Sequence, residues 1–195
     1  INNIDCNLHT VRLRSSNDGN YIIGVGSVGN FIGLPTPMND LFKISPNHTV
    51  IWQKTYDKRF LLDFQPTSDG GYILSGSSTT SQALLLKIDA NGDSLWQQPY
   101  NNVPVSGLTH VKETPDHGFV VVGYISGFAG TNPYVFKLDS TGTTEAWSLI
   151  LGPEEGNADH VIIDPNGNCI VTGTKQVVHG GALGVMLPAA FVSKI

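Results

Sequence analysis

A turn-and-strand pattern returns four times along this 195-residue chain. It restricts the fold more than any other feature. Asn17-Asp18-Gly19-Asn20-Tyr21-Ile22-Ile23 is echoed by Ser68-Asp69-Gly70-Gly71-Tyr72-Ile73-Leu74. The same pattern recurs as Pro115-Asp116-His117-Gly118-Phe119-Val120-Val121 and as Pro165-Asn166-Gly167-Asn168-Cys169-Ile170-Val171. The anchor positions 18, 69, 116 and 166 lie 51, 47 and 50 residues apart. A period of that length marks an array of supersecondary units, each too small to bury a core alone. Asp-Gly and Asn-Gly suit tight hairpin turns, because Gly and Asn tolerate positive φ. Apolar and β-branched residues follow at once, as in a strand. A small residue recurs four positions beyond the aromatic or Cys, at Gly76, Gly123 and Gly173. The first repeat departs here: Gly24 and Gly26 flank Val25, a place for a β-bulge.

A second signal lies downstream in each unit. Leu41-Phe42-Lys43-Ile44 matches Leu85-Leu86-Lys87-Ile88, Val135-Phe136-Lys137-Leu138 and Val192-Ser193-Lys194-Ile195. Three of these run through a turn into a tryptophan: Ser45-Pro46-Asn47 to Trp52, Asp89-Ala90-Asn91-Gly92 to Trp96, and Asp139-Ser140-Thr141-Gly142 to Trp147. The three Trp residues of the chain share this one slot. Each unit therefore reads as four strands. Strand a precedes the Asp/Asn-Gly turn, strand b follows it, strand c carries the Lys and strand d the Trp. The b-to-c connections vary most, from Val28 to Met38 in the first repeat and from Lys175 to Pro188 in the fourth. Such variable loops on a fixed scaffold are where binding is expected. No amphipathic helix is legible.

A four-stranded sheet cannot bury both faces alone, and radial stacking solves this. The predicted fold is all-β, a β-propeller of four-stranded antiparallel blades. The blades are expected at about 8–56, 60–100, 106–150 and 157–195 of a single domain. Residues 1–7 would complete the last blade, with Ile1 near the Trp slot. Each Trp should pack between neighbouring blades, burying ~200 Å2 of largely apolar surface. Two arrangements stay open. One is a closed four-bladed ring, slightly favoured because both termini break at the same point of the repeat. The other is part of a larger propeller, completed by further sequence or by a second chain.

The string Ser68-Asp69-Gly70-Gly71-Tyr72-Ile73, followed by Leu86-Lys87-Ile88-Asp89 and then Gly92 and Trp96, resembles a repeat of secreted and surface proteins of Bacteroidetes and some archaea. That repeat often stands beside type IX secretion sorting domains. Thr67–Tyr100 carries the match best; the fourth repeat is degenerate and lacks the Trp. The resemblance implies propeller repeats, export and a secreted or cell-surface location. It implies no single activity, since fold does not fix function. The strand-d stretch is also similar to the tryptophan-docking motif of quinoprotein dehydrogenases, a blade-packing device. No pattern that would hold a quinone is present, and no cofactor is expected.

Composition narrows the function classes. The formal charge is -5 with no basic block, which argues against nucleic acid. The longest apolar stretch, Gly181 to Val192, is short and holds Pro188, so no spanning helix is expected. The chain begins with Ile1 and shows no signal peptide, which suggests a processed or excised product. A bridge between Cys6 and Cys169 would tie the first repeat to the last; two separate buried thiols are the alternative.

Aligning on the turn anchors places Arg12, Asp63, His110 and His160 in register, each six residues before its anchor. Strand a is innermost in a propeller, so these four could form a polar ring at the channel and bind an anion or, less readily with Arg12 present, a metal. Alternatively they point between blades and hydrogen-bond backbone. Asp159-His160 are strand neighbours on opposite faces, so no dyad is expected there. Asp116-His117 falls in a solvated turn, and His179 in the long loop of the fourth repeat. No Gly-x-Ser-x-Gly elbow exists, and Gly24-Val25-Gly26-Ser27-Val28-Gly29 opens no helix. Asp18, Asp69, Asp89, Asp116 and Asp139 lack Ca2+-loop spacing and suit Asx turns; no metal site is expected. Lys43, Lys87, Lys137 and Lys194 should snorkel or pair with acids at blade edges. Asn47-His48-Thr49 has the form of a glycosylation sequon.

The functional expectation is a non-enzymatic binding or interaction module, with a glycan or another surface protein as partner. Tyr124, Phe128 and Tyr134 would lie near a glycan site, and self-association follows if the ring is open. The alternatives are a hydrolase or lyase at the central channel, and a structural spacer of a larger surface protein.

Overall fold

The structure is a computed structural model. It describes residues 8–27, 38–56, 59–78, 82–100, 106–127, 130–152, 155–179 and 185–195. Blade 1 comprises β1 (Leu8–Ser15), β2 (Tyr21–Ser27), β3 (Met38–Ile44) and β4 (Val50–Thr55). Blade 2 is β5 (Arg59–Pro66), β6 (Tyr72–Ser78), β7 (Ala83–Ile88) and β8 (Ser94–Pro99). Blade 3 is β9 (Gly107–Glu113), β10 (Phe119–Gly127), β11 (Gly130–Leu138) and β12 (Glu145–Ile150). Blade 4 has, among the described residues, β13 (Gly156–Ile163), β14 (Cys169–His179) and β15 (Val185–Lys194). Every pairing within a blade joins sequence neighbours antiparallel. A single pairing, Met38 with Leu61, links blades 1 and 2. The chain is thus a β-propeller arc of four repeats.

The turn signal folds as its residues require. Gly19 N–H donates to the Ser16 carbonyl and Ser16 N–H to the Asn20 carbonyl, at 3.2 and 2.8 Å. The other three repeats close the same way, through Thr67, Thr114 and Asp164. Each turn needs a left-handed residue to return the chain into strand b. Gly19, Gly70 and Gly167 supply it at φ 80, 82 and 84°; His117 holds the same place at φ 61°.

The bulge lies in strand a. Leu62, Thr109 and Asp159 are skipped in the register opposite Gly76, Gly123 and Gly173. The extra residue pushes a carbonyl toward strand b. A Cβ on Gly123 would strike the Gly107 carbonyl, and one on Gly173 the Asn157 carbonyl. In blade 1 the shift falls between Leu8 and Thr10, opposite Gly26 and Ser27, and Val25 pairs with Val11 in regular register. The displaced glycine of the first repeat therefore follows a displaced bulge.

The core lies between blades. Ile22, Leu41 and Trp52 of blade 1 pack on Phe64, Tyr72 and Leu86 of blade 2. Ile73, Leu85 and Trp96 of blade 2 pack on Val111, Phe119 and Phe136 of blade 3. Val120, Val135 and Trp147 of blade 3 pack on Val161, Cys169 and Val171 of blade 4. Ile23, Phe42 and Ile44, on the opposite face of blade 1, form a small cluster of their own. No core cluster joins blade 4 to blade 1 among the described residues, so they leave the ring open.

Trp52 and Trp96 each meet the c–d turn of the next blade. Trp52 Nε1–H donates to the Ala90 carbonyl at 2.9 Å, and the Tyr56 hydroxyl to the Gly92 carbonyl at 2.7 Å. One blade on, the Tyr100 hydroxyl donates to the Gly142 carbonyl at 2.7 Å. A Cβ on Gly142 would stand 2.6 Å from Trp96 Cη2. Trp52 and Trp96 also meet Tyr72 and Phe119 edge-on, at 6.3 and 6.0 Å between ring centroids. Such pairs add to area burial by about 1 kcal/mol.

The strand-c lysines pair with the turn acid of their own blade. Lys43 reaches Asp18 at 2.7 Å, Lys87 reaches Asp69 at 2.7 Å, and Lys137 reaches Asp116 at 2.5 Å. In the fourth repeat the acid has moved to Asp164, 3.6 Å from Lys194.

One connection differs from its sequence expectation. Much of Lys175 to Pro188 is hairpin strand, with Lys175 opposite Ala189 and His179 opposite Val185. Val177, Val178, Met186 and Leu187 suit extended backbone. Pro188 is tolerated because β15 is, among the described residues, an edge strand of its sheet. Cys169 is a free, buried thiol. Residues 1–7 with Cys6, residues 28–37 and Phe128 lie outside the described residues.

Candidate functional site: an inner polar row and a rim groove

The four register-matched residues occupy equivalent places on strand a. Arg12 pairs with Gly24, Asp63 with Ser75, His110 with Val122 and His160 with Thr172. Equal register gives them equal direction, each toward the following blade. Asp63 and His110 are almost sealed, at 0 and 6% exposure, while His160 is exposed.

Three of the four are brought together. His110 Nε2 lies 3.4 Å from Asp63 Oδ2, and the His110 and His160 rings meet edge-on at 4.9 Å. The Val161 backbone N–H lies 3.5 Å from His110 Nδ1. Arg12 does not join; its buried Nε has no partner among the described residues. The cation on Asp63 is instead Arg14, at 3.0 Å, and its guanidinium also lies over the Phe64 ring. The Gln65 side-chain amide bridges Asp63 Oδ2 and His110, at 3.1 and 3.0 Å. Arg14 and Gln65 share the slot four residues before the anchor. That slot is polar in three repeats, as Arg14, Gln65 and Lys112. This signal could have found both.

Burial pulls the His110 pKa down to about 4; Asp63 works against this, while His160, Arg14 and Lys112 reinforce it. A neutral imidazole and a carboxylate held by Arg14 and Gln65 form a satisfied structural network. Both groups are shut from solvent, whereas His160, the third member of the row, is exposed.

The accessible polar surface lies at the a–b turns. Ser68, Glu113, His117 and Asp164 border a groove of about 520 Å3, with Pro115, Ile163 and Pro165 as apolar wall. Glu113 accepts from Ser68 N–H and from the Ser68 hydroxyl, at 2.6 and 2.8 Å. His117 Nδ1 stands 3.0 Å from the Ser68 hydroxyl and 3.5 Å from Glu113. A second groove, of about 380 Å3, lies between blades 3 and 4 beside Trp147, Lys137 and Cys169. There Cys169 takes the slot of Tyr72 and Phe119, so Trp147 meets no aromatic edge among the described residues.

The remaining residues of interest fall elsewhere. Asp89 and Asp139 accept backbone N–H groups of their own turns, as Asx turns do. Tyr134 is buried against Phe136 at 5.6 Å and presents no free stacking face, while Tyr124 is half-buried with its ring lying over Gly107. No group of three metal-ligating side chains gathers among the described residues. No helix is long and apolar enough to cross a membrane among them either.

No family model matches the sequence, and no curated protein does. Solved structures do. A protein of unknown function from Bacteroides caccae superposes with a TM-score of 0.58 at 10% identity, covering 97% of this chain and 61% of that one. Hydrazine synthase of Kuenenia stuttgartiensis gives 0.59 at 15% identity, over 84% of this chain and 51% of that one. At such identity the likeness speaks to the fold alone, and it agrees with a propeller arc. The chain spans less than two thirds of the length of these two neighbours.

Proposed function

We propose that the chain is a non-enzymatic binding module of an exported or cell-surface protein, with the a–b rim groove as its ligand seat and a glycan as its ligand class. The observation that carries this reading is His117. It is 68% exposed and sits at φ 61° in a slot that three other repeats fill with glycine. A left-handed conformation costs a non-glycine residue ~1 kcal/mol, and such strain gathers at functional sites. Around it stand hydroxyl and carboxylate groups that exchange hydrogen bonds with sugar hydroxyls, and an apolar wall that receives sugar C–H faces. The repeat's resemblance to those of exported proteins supports the location. The hydrolase or lyase alternative draws less support, because Asp63 and His110 are sealed and already partnered.

The test is titration of the full chain against surface polysaccharides and a glycan array. Binding without turnover is expected. Glu113→Gln and His117→Ala should each weaken it by about tenfold, the loss of one good hydrogen bond. Absence of binding, or binding indifferent to both substitutions, would sink the proposal.

A further inference from the structure

One proton fixes the state of the imidazole at the rim groove. The Ser68 hydroxyl has a single proton, and it goes to Glu113 at 2.8 Å, since a carboxylate can only accept. In the 3.0 Å contact between His117 Nδ1 and the same hydroxyl the imidazole is therefore the donor. Neutral His117 thus carries its proton on Nδ1. Its Nε2 is a bare acceptor on a side chain that is 68% exposed.

The rest of the groove is short of donors too. Ser68 spends both its N–H and its O–H on Glu113, at 2.6 and 2.8 Å, and the Thr114 hydroxyl is spent on Asp116. Pro115 and Pro165 have no N–H to give. In the first two interfaces the residue before the turn anchor ties its blade to the next. The Asn17 amide donates to the Thr67 carbonyl at 2.8 Å, and Ser68 donates to Glu113. Pro115 breaks that series. The Asp164 carbonyl, in the slot of Thr67, accepts only the Gly167 N–H of its own turn among the described residues. Among them too, Glu113 pairs with no lysine or arginine, and the cation on Asp164 is Lys194, at 3.6 Å and 60% exposed.

We infer that the ligand of this groove carries a free amine and, within the glycan class, is an unacetylated amino sugar. This rests on the proposed reading of the groove as the ligand seat. The groove offers two carboxylates, a carbonyl and a bare imidazole nitrogen. An ammonium, with three donors and no acceptor, matches that set. The wall of Pro115, Ile163 and Pro165 takes the C–H face of the sugar ring that bears it. An N-acetyl group removes the charge and all but one N–H, and adds a carbonyl that finds no free donor. A uronic acid sets a further carboxylate against Glu113 and Asp164, and like charges repel.

The test is calorimetric titration of the full chain at neutral pH with three probes: oligomers of glucosamine, the same oligomers N-acetylated, and oligomers of galacturonic acid. The amine form should bind about tenfold tighter than the N-acetyl form, the worth of one charge-assisted hydrogen bond. Glu113→Gln and Asp164→Asn should each reduce that preference, and added salt should erode it. A long-range proton–nitrogen spectrum of isotope-labelled protein, with His117 assigned through His117→Ala, should show the neutral ring protonated on Nδ1 and bare on Nε2. Ser68→Ala should abolish that bias. Equal binding of the amine and N-acetyl forms overturns the inference and leaves the binding reading standing. So do tighter binding of the galacturonate, a preference indifferent to both substitutions, and a His117 ring protonated on Nε2. Binding of no glycan at all overturns both.

Discussion

At His110 the imidazole pKa falls from 6.5 to about 4 because the ring is buried. Between those values the unfolded chain binds a proton that the folded chain does not. Stability is therefore complete above pH ~6.5 and declines as pH falls toward 4, by at most ~1.4 kcal/mol per pH unit. Asp69 and Asp116, held to about 2 with their lysines, act only below the ordinary carboxylate value of 3.8. The two windows are thus separate. His110→Gln should flatten the upper one and spare the lower, read from urea midpoints across acid pH. Asp63→Asn should cost ~2–3 kcal/mol, somewhat below a fully buried pair because Arg14 is part-exposed. Register in the sequence located Asp63, His110 and His160. It did not reveal that Arg14, one turn of the pleat beyond Arg12, is the cation that reaches Asp63. Which of two same-face side chains reaches across an interface depends on blade spacing, which no repeat alignment contains.

Among the elements, the docking unit of Trp, Tyr and turn glycine carries the sharpest expectations. Gly19 and Gly142 have similar positive φ, but a Cβ meets nothing within 4 Å at Gly19 and strikes Trp96 at Gly142. Ala at Gly19 should cost ~1 kcal/mol, the backbone term alone. Ala at Gly142 should cost ~1–3 kcal/mol more, from overpacking. The difference, measured by denaturant unfolding, isolates the docking contact. Tyr100→Phe leaves the Gly142 carbonyl without its hydroxyl donor and should cost ~1–2 kcal/mol. The strands, the turns and the Trp slot were legible because each repeats with its own local chemistry. The fourth-repeat hairpin was not, because Gly180 and Gly181 beside Pro188 read as loop, while Pro188 sits on an edge strand that tolerates it.

For the whole molecule, what holds the arc is the order of its interfaces, each Trp docking forward onto the next blade. Ring closure was beyond the sequence, because it is the sum of blade angles set by packed side chains. The forward order is the central claim, and fluorine NMR of 5-fluorotryptophan-labelled protein tests it directly. The three resonances, assigned by single Trp→Phe variants, should respond one at a time. Gly92→Ala should move the Trp52 resonance, and Gly142→Ala that of Trp96, while Trp147 stays in place in both. Trp96 moving in response to Gly92→Ala, or a Trp147 shift in either variant, would contradict the forward docking of consecutive blades.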